Sequence, residues 1–213
     1  MAAIESPLKE RITPERLLDL RGVLDDLVRA NMVSQREAED ILIAPRSQKQ
    51  LHMHPLELIA ERELDDPARP GKKLDLDQLT HWLCEFSGQA YYRIDPLKVN
   101  VNKMTEVMSY AFAQRHNILA VEVREEEIVI ASTQPFMSAW EGMLKQTLRG
   151  RRIVRVVTNP QDLSRFMLEF YTMARSVAKA SDAGLEVSSI TNFEQLLELG
   201  QMKSPDANDA HIV

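Results

Sequence analysis

Between residues 118 and 157 the hydrophobic pattern dictates a sheet with a crossover. The stretch "ILAVEVREEEIVIAS" sets two aliphatic runs, Ile118 to Val121 and Ile128 to Ile130, on either side of Arg124-Glu125-Glu126-Glu127. Such runs about a charged turn predict a β-hairpin over 118–133. Met137, Trp140, Leu144 and Leu148 then recur at helical spacing up to Gly150, and "RIVRVV" (152–157) returns to strand. A strand that leaves through a helix and comes back lies parallel to the one it left, with a right-handed crossover. Asn159-Pro160 supplies a cap and a proline at the first helical position. Leu163, Phe166, Met167, Phe170, Tyr171, Ala174 and Val177 carry the next apolar stripe. The order is ββαβα: a three-stranded sheet with helices covering one face.

Upstream the period is helical. Leu17, Leu18, Leu20, Val23, Leu24, Leu27 and Val28 mark one short helix, and Ala38, Ile41 and Leu42 a second. Ser34 and Glu37 between them form a capping box. "APRSQKQ" (44–50) reads as a loop. A third helix starts near Pro55 with Leu56, Leu58, Ile59 and Leu64, and "DDPARPGKK" (65–73) reads as a polar linker. Asp75 or Asp77 caps a fourth helix carrying Leu79, Trp82, Leu83 and Phe86, stopped by Gly88. The two halves echo each other as helix, polar turn and capped helix, which predicts a small bundle. "YYRIDPLKVNV" is extended because Pro96 excludes Asp95 from the helical region. Residues 101–115 read as one helix with Val101, Met104, Val107, Met108 and Ala111 inward. The expected fold class is therefore α+β. A helical bundle (1–88) precedes an α/β sandwich (89–181), and a flexible tail (182–213) reads as a linker with one short helix near "NFEQLLELG".

Charge narrows the function. Residues 182–213 hold a net charge of −5 out of the chain's −6. A near-neutral body with an acidic tail lacks the basic stripe that nucleic-acid binding requires. The single cysteine, Cys84, excludes an intrachain disulfide and suits a reducing compartment. No apolar run is long enough to span a bilayer and no secretory leader is legible, so a cytoplasmic location without direct membrane insertion is expected.

Few residues suggest chemistry. "PGKK" (70–73) resembles the end of a phosphate-binding loop, but Asp66 stands where the first glycine belongs and Lys73 where the hydroxyl belongs. His52, His54, His81 and Cys84 have spacings able to hold zinc, yet a cysteine beside Trp82 and Leu83 on a short helix reads as core. Glu125, Glu126 and Glu127 read as solvated turn residues, since acid–base work needs carboxylates converging in a cleft. Arg149, Arg151, Arg152 and Arg155 form the one basic group. It reads either as helix-end and strand-face charge or as a docking patch for an acidic partner. No catalytic, cofactor-binding or metal residue is assigned.

One family carries the same succession of residues. Tyr92, Ile94-Asp95-Pro96-Leu97, Ala113-Gln114-Arg115, Ile118-Leu119-Ala120-Val121, Pro135 and the helix at "FYTMA" (170–174) follow one another over about residues 20–180. This resembles the N-terminal domain of the type II secretion and type IV pilus assembly ATPases. The resemblance implies a non-catalytic docking or regulatory module of a larger motor. The ATPase domain, with its ATP and magnesium, would lie outside these residues, and a hexamer would form only through that domain. It also implies a partner, the cytoplasmic domain of an inner-membrane platform protein, and a cytoplasmic location peripheral to that membrane.

Some relatives bind cyclic di-GMP through paired helical segments that begin Arg-Leu-Gly and carry a glycine in the following turn. The matching positions here are Gly22-Val23-Leu24 with Asn31, and His54-Pro55-Leu56 with Glu63. Neither triplet matches. A cyclic di-GMP-sensing domain of the same motor is the alternative reading, and a free-standing small enzyme of unknown reaction is the third.

Overall fold

The computed structural model describes residues 15–148 and 150–182. The chain divides into two compact units at Ala174–Arg175, inside the helix Pro160–Asp182. Of the second unit, residues 175–182 are the end of that helix. The first unit contains two hydrophobic cores.

The helical core is built from α1 (Leu20–Arg29), α2 (Gln35–Ile43), α3 (Pro55–Ala60) and α4 (Leu76–Ser87), with a 3-10 turn at Gln50–His52. Local chemistry explains each boundary. Asp19 caps α1 by accepting from the Gly22 N–H at 2.9 Å. Ser34 and Glu37 close the expected capping box on α2, and Asp75, not Asp77, closes a second one with Gln78 on α4. Gly88 takes the left-handed conformation that ends α4. Val23, Leu24, Leu27, Leu56, Ile59, Leu79 and Leu83 are all but sealed from solvent in the shared core. Beneath it Asp26 is buried and paired to both Arg16 and Arg29, which satisfies a charge that would otherwise be costly to bury. Leu17 lies before α1 and is exposed, and Leu64 lies beyond α3; both were expected on the helical stripes.

"DDPARPGKK" is an ordered loop. The buried Asp66 accepts from the Ala68 N–H at 2.8 Å, Arg69 Nε at 2.7 Å and Gln78 Nε2 at 3.2 Å. The arginine bond, above all, holds its carboxyl below the usual range. Leu74 N–H donates to Leu64 O at 2.8 Å and closes the loop.

The second core surrounds a mixed sheet of β1 (Ala90–Tyr91), β2 (Ile118–Val123), β3 (Glu127–Ser132) and β4 (Arg152–Val157), in the order β1-β4-β3-β2. The hairpin β2–β3 is antiparallel, with a register irregularity between Ala120 and Glu122. The strands β3 and β4 are parallel over their full length, as the crossover demands. The sheet has four strands rather than three, because Ala90 and Tyr91 pair with Val156 and Val157. Two residues before "RIDP" carry too little periodicity to read as a strand.

Three further expectations are corrected. Residues Ile128–Ser132 are buried one after another, so both faces of the sheet are covered there, not one. The segment 101–115 is two helices, α5 (Val101–Val107) and α6 (Tyr110–His116). Met108 between them is extended, and Ser109 caps the second by accepting from the Phe112 N–H. The break rotates the apolar stripe, so Ala113 is buried and Ala111 exposed. The last two helices among the described residues are α7 (Ala139–Leu148) and α8 (Pro160–Asp182). Val177, expected on the inner stripe of α8, is 48% exposed. The tail reading of 183–213 lies outside the described residues.

Candidate functional site

In a sheet of this kind a ligand crevice is expected outside the carboxyl ends of the parallel strands. Those ends are Tyr91, Ser132 and Val157, and the loop 133–138 sits over them. Its groups face the helical core. Gln134 Oε1 accepts from the Leu18 N–H at 2.8 Å. Thr133 O bonds His54 Nε2 at 3.1 Å. Pro135 O accepts from Gln89 Nε2 at 2.8 Å. Phe136 and Val157 themselves belong to the helical core. The Phe136 ring lies edge-on to Phe86, with the Arg16 guanidinium 4.8 Å from its centroid. A further bond ties Asn159 Nδ2 to Asp77 Oδ1 at 2.8 Å. The loop 133–138 and the helical core together close over most of the crevice.

What remains open there is a recess of about 250 Å³ bordered by Leu17, His52, His54, Glu57, Asn117 and Gln134, below the usual volume of a small-molecule site. His54 is spent on structure. Its Nδ1 accepts from the Leu56 N–H at 3.3 Å as the cap of α3. The ring proton therefore resides on Nε2 and is donated to Thr133 O. Burial depresses its pKa to about 4. Burial also pushes Glu57 above the usual carboxylate range.

The other candidates disperse. His81 lies against Tyr91, with ring centroids 4.3 Å apart. Cys84 is buried, and burial pushes its thiol up to about 11, which makes it a packing residue. Within "PGKK", Lys73 pairs with Asp65 at 2.6 Å, and the Ala68, Arg69 and Lys72 N–H groups of this loop are bonded to Asp66 and Arg69 inside it rather than turned together toward a ligand. Glu127 pairs with Arg124 and Arg152, and the Arg152 bond leads in holding its carboxyl low. Glu125 and Glu126 are exposed.

The basic group separates into unlike parts. Arg149 lies outside the described residues. Arg155 is turned inward, with its side chain 22% exposed. It donates to Pro135 O and, at 2.9 Å, to Met137 O, pairs with Glu141 at 3.1 Å, and lies over the Trp140 ring. It braces the loop that fills the crevice. Arg152 bonds Glu127 at 2.6 Å yet keeps 75% of its side chain in solvent. Arg151 is half-buried, and its N–H donates to Leu148 O at 3.1 Å around Gly150. The bracing role of Arg155 and the cross-core bonds of Gln134 and His54 were not legible in the sequence; Pro135 marked the turn but not its contacts.

The two helical segments at 22–31 and 54–63 share a backbone feature. Asn31 and Glu63, at the two turn positions, have φ of 55° and 50°. Both hold the left-handed conformation that glycine adopts freely. Val23, Leu24, Pro55 and Leu56 are buried, so those triplets serve the core.

This architecture carries a recognisable domain: residues 87–177 match the MshEN domain family. Over 196 residues the chain is 39% identical to the type IV pilus assembly ATPase TfpB of Acinetobacter baylyi, covering 92% of this chain and 34% of that protein. The chain belongs with the N-terminal domains of the secretion and type IV pilus assembly ATPases, and it spans about a third of the length of the pilus ATPase it matches. Looser likenesses in solved structures are to MshE with cdg and to the N-terminal domain of XpsE. The first is 16% identical with a TM-score of 0.48, over 72% of this chain and 99% of that one. The second is 11% identical with a TM-score of 0.42, over 73% and 99%. No described helix is long and apolar enough to cross a membrane.

Proposed function

We propose that this chain is the non-catalytic docking and regulatory domain of a secretion or type IV pilus assembly motor, anchoring the motor to the cytoplasmic domain of an inner-membrane platform protein. The observation that carries the reading is the 39% identity to a pilus assembly ATPase over nearly the whole chain. The spent crevice supports it: the place where an α/β sheet would bind a substrate is mostly closed over by the loop 133–138 and the helical core. ATP and magnesium would be held by the motor's ATPase domain, which would also form the hexamer. The Arg151–Arg152 end of the basic group, where the Arg152 side chain stands in solvent, would face an acidic surface of the partner. The location would be cytoplasmic and peripheral to the inner membrane.

The test is a full-length motor lacking residues 1–182. It should keep ATP turnover in solution and fail to co-sediment with membranes carrying the platform protein. Co-sedimentation equal to that of the intact motor overturns the reading.

A second reading, cyclic di-GMP sensing by the same motor, is favoured by the left-handed turns at Asn31 and Glu63. Against it stand the absent arginine-led triplets. Calorimetry on the isolated chain should show weak binding or none. Saturable low-micromolar binding would move the function to this second reading.

A further inference from the structure

The strand β4 is paired along its whole length on one side only. Its partner β3 spans Arg152 to Val157, whereas β1 covers only Val156 and Val157. In a parallel ladder alternate residues direct their backbone groups to opposite sides. The Arg152 N–H donates to Glu126 O at 2.8 Å and the Thr158 N–H to Ser132 O at 3.2 Å, so even-numbered residues face β3. Tyr92 N–H donates to Val157 O at 2.7 Å, so odd-numbered residues face the β1 side. Ile153 and Arg155 therefore direct their N–H groups, and Ile153 its carbonyl, past the start of β1. Among the described residues neither of those N–H groups, nor that carbonyl, has a backbone partner on that side. The chain ahead of β1 does not continue the strand: Gly88 is left-handed, and the Gln89 side chain is drawn to Pro135.

An edge with spare donors and acceptors is a template for another strand. We propose that the outer edge of β4, from Arg151 to Arg155, accepts a short extended segment of a partner protein as an added strand. Ile153 and Val154 are half-buried and offer apolar contact on the two faces. Arg152 stays largely in solvent at the mouth of the edge, and Arg151 lies beside it. The incoming segment is therefore one of alternating β-branched and acidic residues. Arg155 is already committed to the loop 133–138 and contributes only its backbone. This proposal rests on the docking reading for the existence of a partner and goes beyond it by placing the contact and stating its chemistry.

The test is amide exchange on the 15N-labelled chain with the peptide Ac-Glu-Val-Asp-Val-Glu-amide as probe. At saturation, exchange at Ile153 and Arg155 should slow by about tenfold, while Val154 and Val156, whose N–H groups already face β3, should not change. The same peptide N-methylated at alternate amides should give no protection. A version with lysine in place of its acids should bind about tenfold more weakly. Ile153→Pro should fold, because its N–H is spare, and should lose the protection at Arg155; Val154→Pro should unfold the sheet. No slowing with the peptide, equal protection by the N-methylated or lysine peptide, or unfolding of Ile153→Pro alone overturns the proposal. Concentration-dependent protection without peptide also overturns it, by making a second copy of the chain the occupant. Membrane co-sedimentation of the motor does not involve the peptide. If it succeeds while the peptide fails, the error is confined to the edge.

Discussion

The two cores of the first unit are held by different kinds of information. The helical core is written locally. Its helices begin at Asp19, Ser34, His54 and Asp75, each accepting a backbone N–H within its own first turn. The sheet core is written over distance: β1 pairs with β4 across more than sixty residues of chain, and the loop 133–138 is fixed by Leu18, His54, Gln89 and Arg155. The helical core can thus nucleate from neighbouring residues, whereas the sheet core waits for contacts that close long loops. The seam between them is where the long-range information collects.

The two tryptophans let the comparison be broken directly, since Trp82 lies in the helical core and Trp140 in the sheet core. Single-tryptophan variants should show one urea midpoint by either reporter. Phe136→Ala removes the ring that the sheet loop inserts among the helices. It should cost about 3–5 kcal/mol, and because the ring packs in the helical core against Phe86, itself stacked on Trp82, the Trp82 midpoint should fall further than that of Trp140. An equal fall at both reporters would mean that the cores are not separable.

The next effect is on pH. The folded His54 has a pKa of about 4 against an ordinary value of 6.5. Between these values the unfolded chain binds a proton that the folded chain does not. Stability should therefore fall as pH drops from about 6.5 to about 4, by on the order of 3 kcal/mol in total from this group. Urea midpoints measured across that window should show the slope, and His54→Gln should flatten it. An unchanged slope in the variant would remove His54 from the seam.

Smaller effects sharpen the helical side. Glu63→Gly relieves a left-handed glutamate and should stabilise the chain by about 0.5–1 kcal/mol in thermal unfolding. Asn31→Gly should change stability by only a few tenths of a kcal/mol, because asparagine tolerates this conformation. A large loss from either would show that the side chain itself holds the turn.

What was legible in the sequence follows the same division. Ser34 with Glu37, Gly88, and the change of period at 118–157 announced themselves because their partners lie a few residues away. The break at Met108–Ser109 was hidden by apolar residues that fit one continuous helix as well as two. The strand at Ala90–Tyr91 is defined only by Val156 and Val157. At the candidate site, the arginines were visible as a charge group, but nothing near Arg155 in sequence shows that it turns inward to Pro135 and Met137. Family membership was legible because it rests on a long succession of motifs and on no single residue.

The claim that this chain docks and does not catalyse is tested most directly by titrating it, by calorimetry, with the purified cytoplasmic domain of the inner-membrane platform protein from its own secretion or pilus system. The account predicts saturable one-to-one binding that is weakened by Arg152→Glu, with no magnesium-dependent ATP turnover by the chain alone. No binding to that domain, together with ATP hydrolysis that is lost on a point substitution within this chain, would contradict it.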